Sequence, residues 1–316
     1  MDFLVSQTHI SPFYLVILGF IIGILGGFFG VGGSFLAGPS LFALGVPMNY
    51  VVGTDLAHIV GKSIVAAKKH RALGNVDLKL GLIMVIGTIA GVEVGAQGIE
   101  WLKHLGRANV DQVVGITFVV VLISISTFVG WESLQTIKMQ RQRDRESEMS
   151  GVGVSRPDAK RDESAVDHIA RKIHGINLPP TIRLQVSGIE GISLWAILLV
   201  AFVGGVFSGF LGGGAGYIRM PSMVYLLGVP THVAVGTDLF EVVISASYGT
   251  FTHAIKGNVD IMIALVMHTG AAIGAQIGAA STEYFRGPRI RLAFVPLPLI
   301  GAAIVIYSLL SGKHLK

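Results

Sequence analysis

Charged side chains lie inside segments of this sequence that are otherwise apolar. Asp55, His58 and Lys62 fall at i, i+3 and i+7, a spacing that places them on one face of a helix. The corresponding positions in the second half of the chain include Asp238 and Glu241. Ionisable groups within apolar helices are costly to bury and commonly serve proton or ion movement. Asp55, His58, Asp238 and Glu241 are therefore candidates for binding a proton or a cation.

The two aspartates also have a structural interpretation. Asp55 follows Thr54, and Asp238 follows Thr237, near the predicted starts of two helices. Threonine and aspartate at a helix start can accept hydrogen bonds from the free N–H groups of the first turn. Helix capping and ion coupling therefore both remain open for this pair.

Two cations in apolar segments are candidates for binding an anion. The guanidinium of Arg219 presents paired donors that fit an oxyanion, and Lys62 offers a compact positive charge. Alternatively, Arg219 reaches a lipid headgroup or pairs with a carboxylate, and Lys62 extends toward water. Glu93 and His268 are further titratable candidates, and a structural role suits each of them equally well.

Two glycine-rich breaks interrupt the apolar segments, at residues 27–33 and 209–214, and each is followed by a proline. A helix that begins at such a break points free N–H groups and its positive dipole end inward, which favours an anion. Matched breaks in two halves of a membrane protein indicate a substrate site. The alternative is that the glycines only allow helices to cross closely. The candidate binding residues at the breaks are Gly30, Gly32, Gly33, Ser34, Gly212, Gly213, Gly214 and Gly216.

The composition predicts an integral membrane protein. The chain is 52% hydrophobic and 14% charged, whereas a soluble domain carries roughly 25% charged residues. Its net charge of +5 lies largely in loops, so we attribute it to membrane topology and expect no nucleic-acid partner. The chain has no cysteine, which excludes disulfides and thiolate metal sites. We expect no cofactor and no metal.

The sequence is internally duplicated. Residues 45–96 match residues 228–279 without a gap, with 20 of the 52 positions identical. Both copies contain a G-V-P turn, a V-G-T-D-L motif, a G-N-V-D turn and a run of glycines at four-residue spacing. The predicted fold is all-α and polytopic, with a first transmembrane repeat at 1–131, a charged cytoplasmic linker at 132–190 and a second transmembrane repeat at 191–316.

The orientation of the repeats depends on the short segments that follow the glycine breaks. If these segments cross the membrane, each half has five crossings and the repeats are inverted. If they are re-entrant, each half has four crossings and the repeats are parallel. The distribution of Lys and Arg satisfies the positive-inside rule in both cases. We favour the inverted 5+5 arrangement over the parallel 4+4 arrangement because inverted repeats commonly place one site at mid-membrane.

These duplicated motifs resemble the sulfite exporter TauE/SafE family of anion permeases, within the superfamily of 4-toluene sulfonate uptake permeases. The resemblance covers nearly the whole chain except the linker. One departure is the first break, which reads Gly30-Val31-Gly32-Gly33 where an unbroken glycine run is expected. The resemblance implies a multi-pass protein of the bacterial inner membrane that carries sulfite, a related sulfur oxyanion or an organosulfonate. It further implies an exporter driven by an ion gradient.

Other function classes were weighed beside a transporter. A passive anion channel would use the same helix ends. The two related aspartates also suggest an intramembrane aspartyl protease, whose two carboxylates share a proton. The protease interpretation leaves the glycine breaks unexplained. Small-residue faces would allow a homodimer, and the expected partners are otherwise the lipid bilayer and the transported anion.

Overall fold

The computed structural model describes residues 1–150, 178–285 and 287–311. Five helices form the first half: α1 Pro12–Phe29, α2 Ser34–Ala43, α3 Met48–Ala72, α4 Leu78–His104 and α5 Arg107–Ser150. Six helices follow in the second half: α6 Leu194–Leu211, α7 Gly216–Tyr225, α8 Thr231–Ile255, α9 Ile261–Ser281, α10 Gly287–Phe294 and α11 Pro296–Ser311. Short 3-10 turns lie at Gly213–Ala215 and Thr282–Tyr284.

The protein is a helical, multi-pass membrane protein, as the composition predicts. Six helical segments of the described chain are long and apolar enough to cross a bilayer. They are Pro12–Phe29, Leu78–His104, Val110–Gln142, Leu194–Leu211, Ile261–Tyr284 and Arg289–Ser311. Large apolar side chains such as Leu82, Ile86 and Leu199 are exposed on the outer surface, which suits contact with lipid.

The helices of the two halves are packed against each other reciprocally. Helix α1 packs along α9, and α4 packs along α6. Glycines let these backbones approach: a side chain at Gly91 would collide with the carbonyl of Phe202, and one at Gly274 with the carbonyl of Phe20. The small-residue faces are thus occupied within one chain. They give no support to the homodimer that they suggested in the sequence.

The duplicated motifs dock onto each other across the two halves. The α-carbon of Gly53 lies against the carbonyl of Asn258, and that of Gly236 against the carbonyl of Asn75. Next to these contacts, the Asp260 amide donates to Thr54 Oγ1 at 2.9 Å. The start of α3 therefore meets the end of α8. Because the reverse contact is also made, α3 and α8 run antiparallel.

The helix-capping interpretation of the two aspartates is wrong. Helices α3 and α8 begin at Met48 and Thr231 and follow Pro47 and Pro230, so Asp55 lies about two turns inside α3. The helix interior already satisfies the N–H groups at that depth. The preceding threonine hydroxyl instead accepts a hydrogen bond from the opposite half, since the Asp77 amide donates to Thr237 Oγ1 at 2.9 Å.

Two β-hairpins complete the structure and were not predicted. Strands β1 Asp2–Phe3 and β2 Thr8–His9 pair, as do β3 Thr181–Leu184 and β4 Ile189–Ser193. The amide and hydroxyl of Ser6 both donate to Asp260 Oδ2, and those of Ser187 donate to Asp77 Oδ2. Each hairpin therefore forms hydrogen bonds with the aspartate at the start of a helix in the opposite half.

The region expected to be a solvated linker is partly packed. Helix α5 continues to Ser150, and Glu132 within it is buried beside Arg291, with Arg291 Nε 3.5 Å from Glu132 Oε2. The second hairpin begins within the same predicted linker and ends at Ser193, inside the predicted second repeat. The rest of that prediction, residues 151–177, lies outside the described residues.

Candidate functional site

The two glycine breaks meet in the interior of the protein. Helix α1 ends at Phe29, and α2 begins at Ser34 after Gly33, whose φ is 73°. In the second half, α6 ends at Leu211 and α7 begins at Gly216. The Ser34 hydroxyl donates to the Gly213 carbonyl at 2.8 Å. This contact joins the start of α2 directly to the second break. We call the region of Gly30 to Ser34 and Gly212 to Gly216 the glycine junction.

The glycine junction is tightly packed in this conformation. A Cβ added at Gly32 would fall 1.9 Å from Ile59, and one at Gly213 would fall 1.9 Å from Ser34. A Cβ added at Gly30, Gly214 or Gly216 would fall 2.5, 2.1 or 2.6 Å from Val235, Val242 or Val31, respectively. Tight helix crossing, the structural alternative for these glycines, therefore accounts for part of their role. The same close packing shields the glycine junction from solvent in this conformation.

Two histidines that the sequence interpretation missed form hydrogen bonds with the helix ends at the glycine breaks. His70 Nε2 donates to the Gly27 carbonyl at 3.0 Å, and His253 Nε2 donates to the Gly209 carbonyl at 2.9 Å. Each carbonyl belongs to the last turns of a helix that ends at a break. A signal was present, since the two histidines are identical positions of the duplication.

The second half carries a compact buried charge cluster. Arg219 Nε lies 2.5 Å from Asp238 Oδ1, and Arg219 Nη2 lies 2.7 Å from Glu241 Oε2. All three side chains are at most 1% exposed. The guanidinium thus binds two carboxylates in this state, which is the carboxylate-pairing alternative weighed for Arg219. Ser245 donates a further hydrogen bond to Glu241 Oε2 at 3.2 Å.

The first half carries a different cluster at the matching positions. Lys62 Nζ lies 3.1 Å from His58 Nδ1, and His58 Nδ1 lies 3.7 Å from Asp55 Oδ1. Neither oxygen of Asp55 accepts a hydrogen bond from the described part of the chain. Asp55 Oδ2 is 2.9 Å from the Cβ position of Gly213, so the carboxylate borders the glycine junction. Lys62 is buried and does not extend to water.

The remaining two titratable candidates lie away from the glycine junction. Glu93 is 37% exposed and pairs with Lys256 Nζ at 3.1 Å. His268 of α9 is partly buried, and its ring packs against α3 at Gly61. Within the described residues, His, Cys, Asp and Glu side chains form no group of three or more that could hold a metal ion.

Comparison with known proteins gives a consistent family signal. The family model described as Sulfite exporter TauE/SafE matches residues 15–305. The probable membrane transporter protein YunE of Bacillus subtilis (strain 168) is 27% identical over 306 residues, which cover 94% of this chain and 98% of that protein. The probable membrane transporter protein YjnA of the same organism is 25% identical over 300 residues, covering 93% and 96%. No solved structure matches.

Proposed function

Since the chain belongs to the sulfite exporter TauE/SafE family, we propose that it carries sulfite, a related sulfur oxyanion or an organosulfonate across the cell membrane. It does so by alternating access, as an exporter coupled to an ion gradient, and it is not an enzyme. The family match and the similarity to proteins named membrane transporters support the general function. The buried site described above supports the substrate class.

The observation that carries this proposal is the meeting of two helix starts among buried cations. Helices α2 and α7 both begin at the glycine junction, and their first-turn N–H groups and positive dipole ends favour an anion there. Lys62 and Arg219 add positive charge, and both are almost fully buried. Opening of the junction would expose the backbone of Gly30, Gly32, Gly33, Ser34, Gly212, Gly213, Gly214 and Gly216 to the anion.

The proposal assigns coupling to the carboxylates and the histidine beside the junction. Asp238 and Glu241 are held by Arg219, and a change in their protonation would release that guanidinium toward the substrate. Asp55 and His58 form the second coupling group. The two halves have therefore diverged in charge at equivalent positions, which suits a single substrate bound between unlike halves.

We further propose that the two repeats are inverted, with five crossings each. The antiparallel contact of α3 with α8 supports this arrangement, because parallel repeats would place these equivalent helices in the same direction. With the N-terminus outside, the basic segment at 68–71 and the region around Arg289 face the cytoplasm, as the positive-inside rule expects.

Single cysteines introduced into this cysteine-free chain test the orientation. A membrane-impermeant maleimide is expected to label Cys at positions 69 and 289 only from the cytoplasm, and at position 256 only from outside. The wild-type chain, which cannot react, is the background control. Labelling of positions 69 and 256 from the same side would reject the inverted arrangement and favour four crossings per half.

A competition assay tests the substrate class. Liposomes containing the purified protein are loaded with sulfite, and uptake of labelled sulfite is measured with excess thiosulfate, sulfate, sulfoacetate or taurine outside. We expect the oxyanions to compete, because the proposed site recognises negative oxygens through N–H groups and cations. Strong competition by taurine with none by the oxyanions would exclude the anion site.

Two other functions are less well supported. An aspartyl protease needs two carboxylates that share a proton. Here Asp238 is bound by Arg219, and the nearest ionisable group to Asp55 is His58. A passive anion channel needs a continuous path, whereas the glycine junction is packed closed. The closed junction favours a carrier, which must exclude solvent on both sides of its substrate during part of each cycle.

A further inference from the structure

Helix α3 of the first half carries a row of titratable groups that its equivalent, α8, carries only in part. From the glycine junction outward along α3 it consists of Asp55, His58 and Lys62, with exposures of 0%, 1% and 2%. His268, which is less buried, lies at the outer end, where its ring contacts Gly61. The positions equivalent to Lys62 and His268 in the duplication are Ser245 and Val85, which do not titrate near neutral pH.

The geometry points to a proton relay, and we propose that protons move between His268 and Asp55 through Lys62 and His58. This inference rests on the proposed function, since it identifies the coupling ion of that transporter. The relay is separate from the cluster of Arg219, Asp238 and Glu241, whose charges are paired in this conformation.

His58 Nδ1 is placed to pass a proton without changing its tautomer. This nitrogen is 3.1 Å from Lys62 Nζ and 3.7 Å from Asp55 Oδ1. The Lys62 ammonium transfers a proton to Nδ1 and becomes an amine, while His58 becomes an imidazolium. Nδ1–H then transfers to Asp55 Oδ1, which leaves a neutral imidazole and a carboxylic acid. Nε2 keeps its hydrogen throughout and has no partner within the described residues.

Three side chains from other helices border the relay: Tyr217, Ser34 and His268. Asp55 is bordered by the buried Tyr217 of α7 and by Ser34, whose hydroxyl already donates to Gly213. His268 of α9 faces this row from the neighbouring helix, where its ring packs against Gly61. Arg219, Asp238 and Glu241 contact one another.

The charge balance of the site explains why an arriving anion would need a proton. With neutral histidines, the three carboxylates Asp55, Asp238 and Glu241 exceed the two cations Lys62 and Arg219 by one negative charge. A sulfur oxyanion would add to this excess at membrane depth, where unbalanced charge is expensive. A proton delivered to Asp55 offsets the charge of the arriving anion. The proton and the anion therefore move in the same direction, so export against the inward proton gradient is driven by the anion's own gradient and by the negative interior potential acting on the anion.

The test measures protons moved per anion in liposomes that contain the purified protein and a trapped pH indicator. A sulfite gradient is imposed, and protein-free liposomes report the passive flux. The wild-type protein is expected to move protons with sulfite. His58→Gln should reduce the proton flux per anion by about a hundredfold, the lower end of what a positioned proton-transfer group contributes. Ser63→Ala, a buried hydroxyl beside Lys62, is the matched control and should behave as wild type.

A second variant keeps the test decisive if His58→Gln does not fold. His268→Gln lies outside the glycine junction and should also lower the number of protons moved per sulfite. Wild-type proton flux in either variant would overturn the relay, and so would an equal loss in Ser63→Ala. If the wild-type protein exchanges no sulfite, the transporter proposal fails instead, before any proton is counted.

Discussion

Replacing Arg219 with methionine is expected to lower the free energy of unfolding by about 3–5 kcal/mol, the cost of removing one partner from a buried ion pair. The guanidinium contacts both Asp238 and Glu241, and none of the three side chains is more than 1% exposed. Methionine fills a similar volume but leaves two carboxylates buried without a counter-charge. Thermal unfolding of the purified protein in detergent measures the effect.

Two further variants separate charge pairing from substrate binding. The triple variant Arg219→Met, Asp238→Asn, Glu241→Gln removes the charges together and should recover most of the lost stability, because no unpaired charge remains. Arg219→Lys keeps the charge but loses the fork that reaches two carboxylates, so its stability should lie between wild type and Arg219→Met. An Arg219→Met protein that melts like wild type would contradict the charge pairing, whatever its affinity for sulfite.

Replacing Gly213 with alanine is expected to abolish transport and to destabilise the protein strongly. Gly213 has a φ of +68°, and an added Cβ would fall 1.9 Å from both Cβ and Oγ of Ser34. Left-handed backbone costs a non-glycine residue about 1–2 kcal/mol, and overpacking of an interior adds about 1–3 kcal/mol. The substitution would also push α2 away from the second break, since the Ser34 hydroxyl binds the Gly213 carbonyl.

Gly257 provides the matched control for this substitution. Its φ of +70° is nearly the same, but no atom lies within 4 Å of an added Cβ. Gly257→Ala should therefore lose only the conformational part, about 1–2 kcal/mol, and retain sulfite exchange. Equal effects of the two substitutions on exchange would mean that the glycine junction has no special role.

The sequence was most informative where a local pattern had a local cause. The apolar segments, the two glycine breaks and the shared face of Asp55, His58 and Lys62 follow from composition and helical spacing. The apolar segments are found in the structure as six membrane-capable helices. The breaks and the shared face are found at the centre, where Ser34 contacts Gly213.

The sequence was least informative where distant segments meet. Thr54 and Asp55 suggested a helix cap because the partner of Thr54, the turn that contains Asp260, lies more than two hundred residues away. The carboxylate partners of Arg219 could not be chosen for the same reason. The β-hairpins were missed because strands of two to five residues carry too short a pattern to recognise. The continuation of α5 past residue 132 was missed because its charged residues are also typical of a solvated segment.

Trans-stimulation of sulfite uptake tests the transporter account most directly. Liposomes containing the wild-type protein are prepared with or without unlabelled sulfite inside, and the initial uptake of labelled sulfite is compared. A carrier whose site faces one side at a time returns faster when loaded, so internal sulfite is expected to accelerate uptake above the protein-free background. Uptake that is unchanged by internal sulfite would contradict alternating access and favour a channel, and no uptake above the protein-free background would contradict the substrate itself.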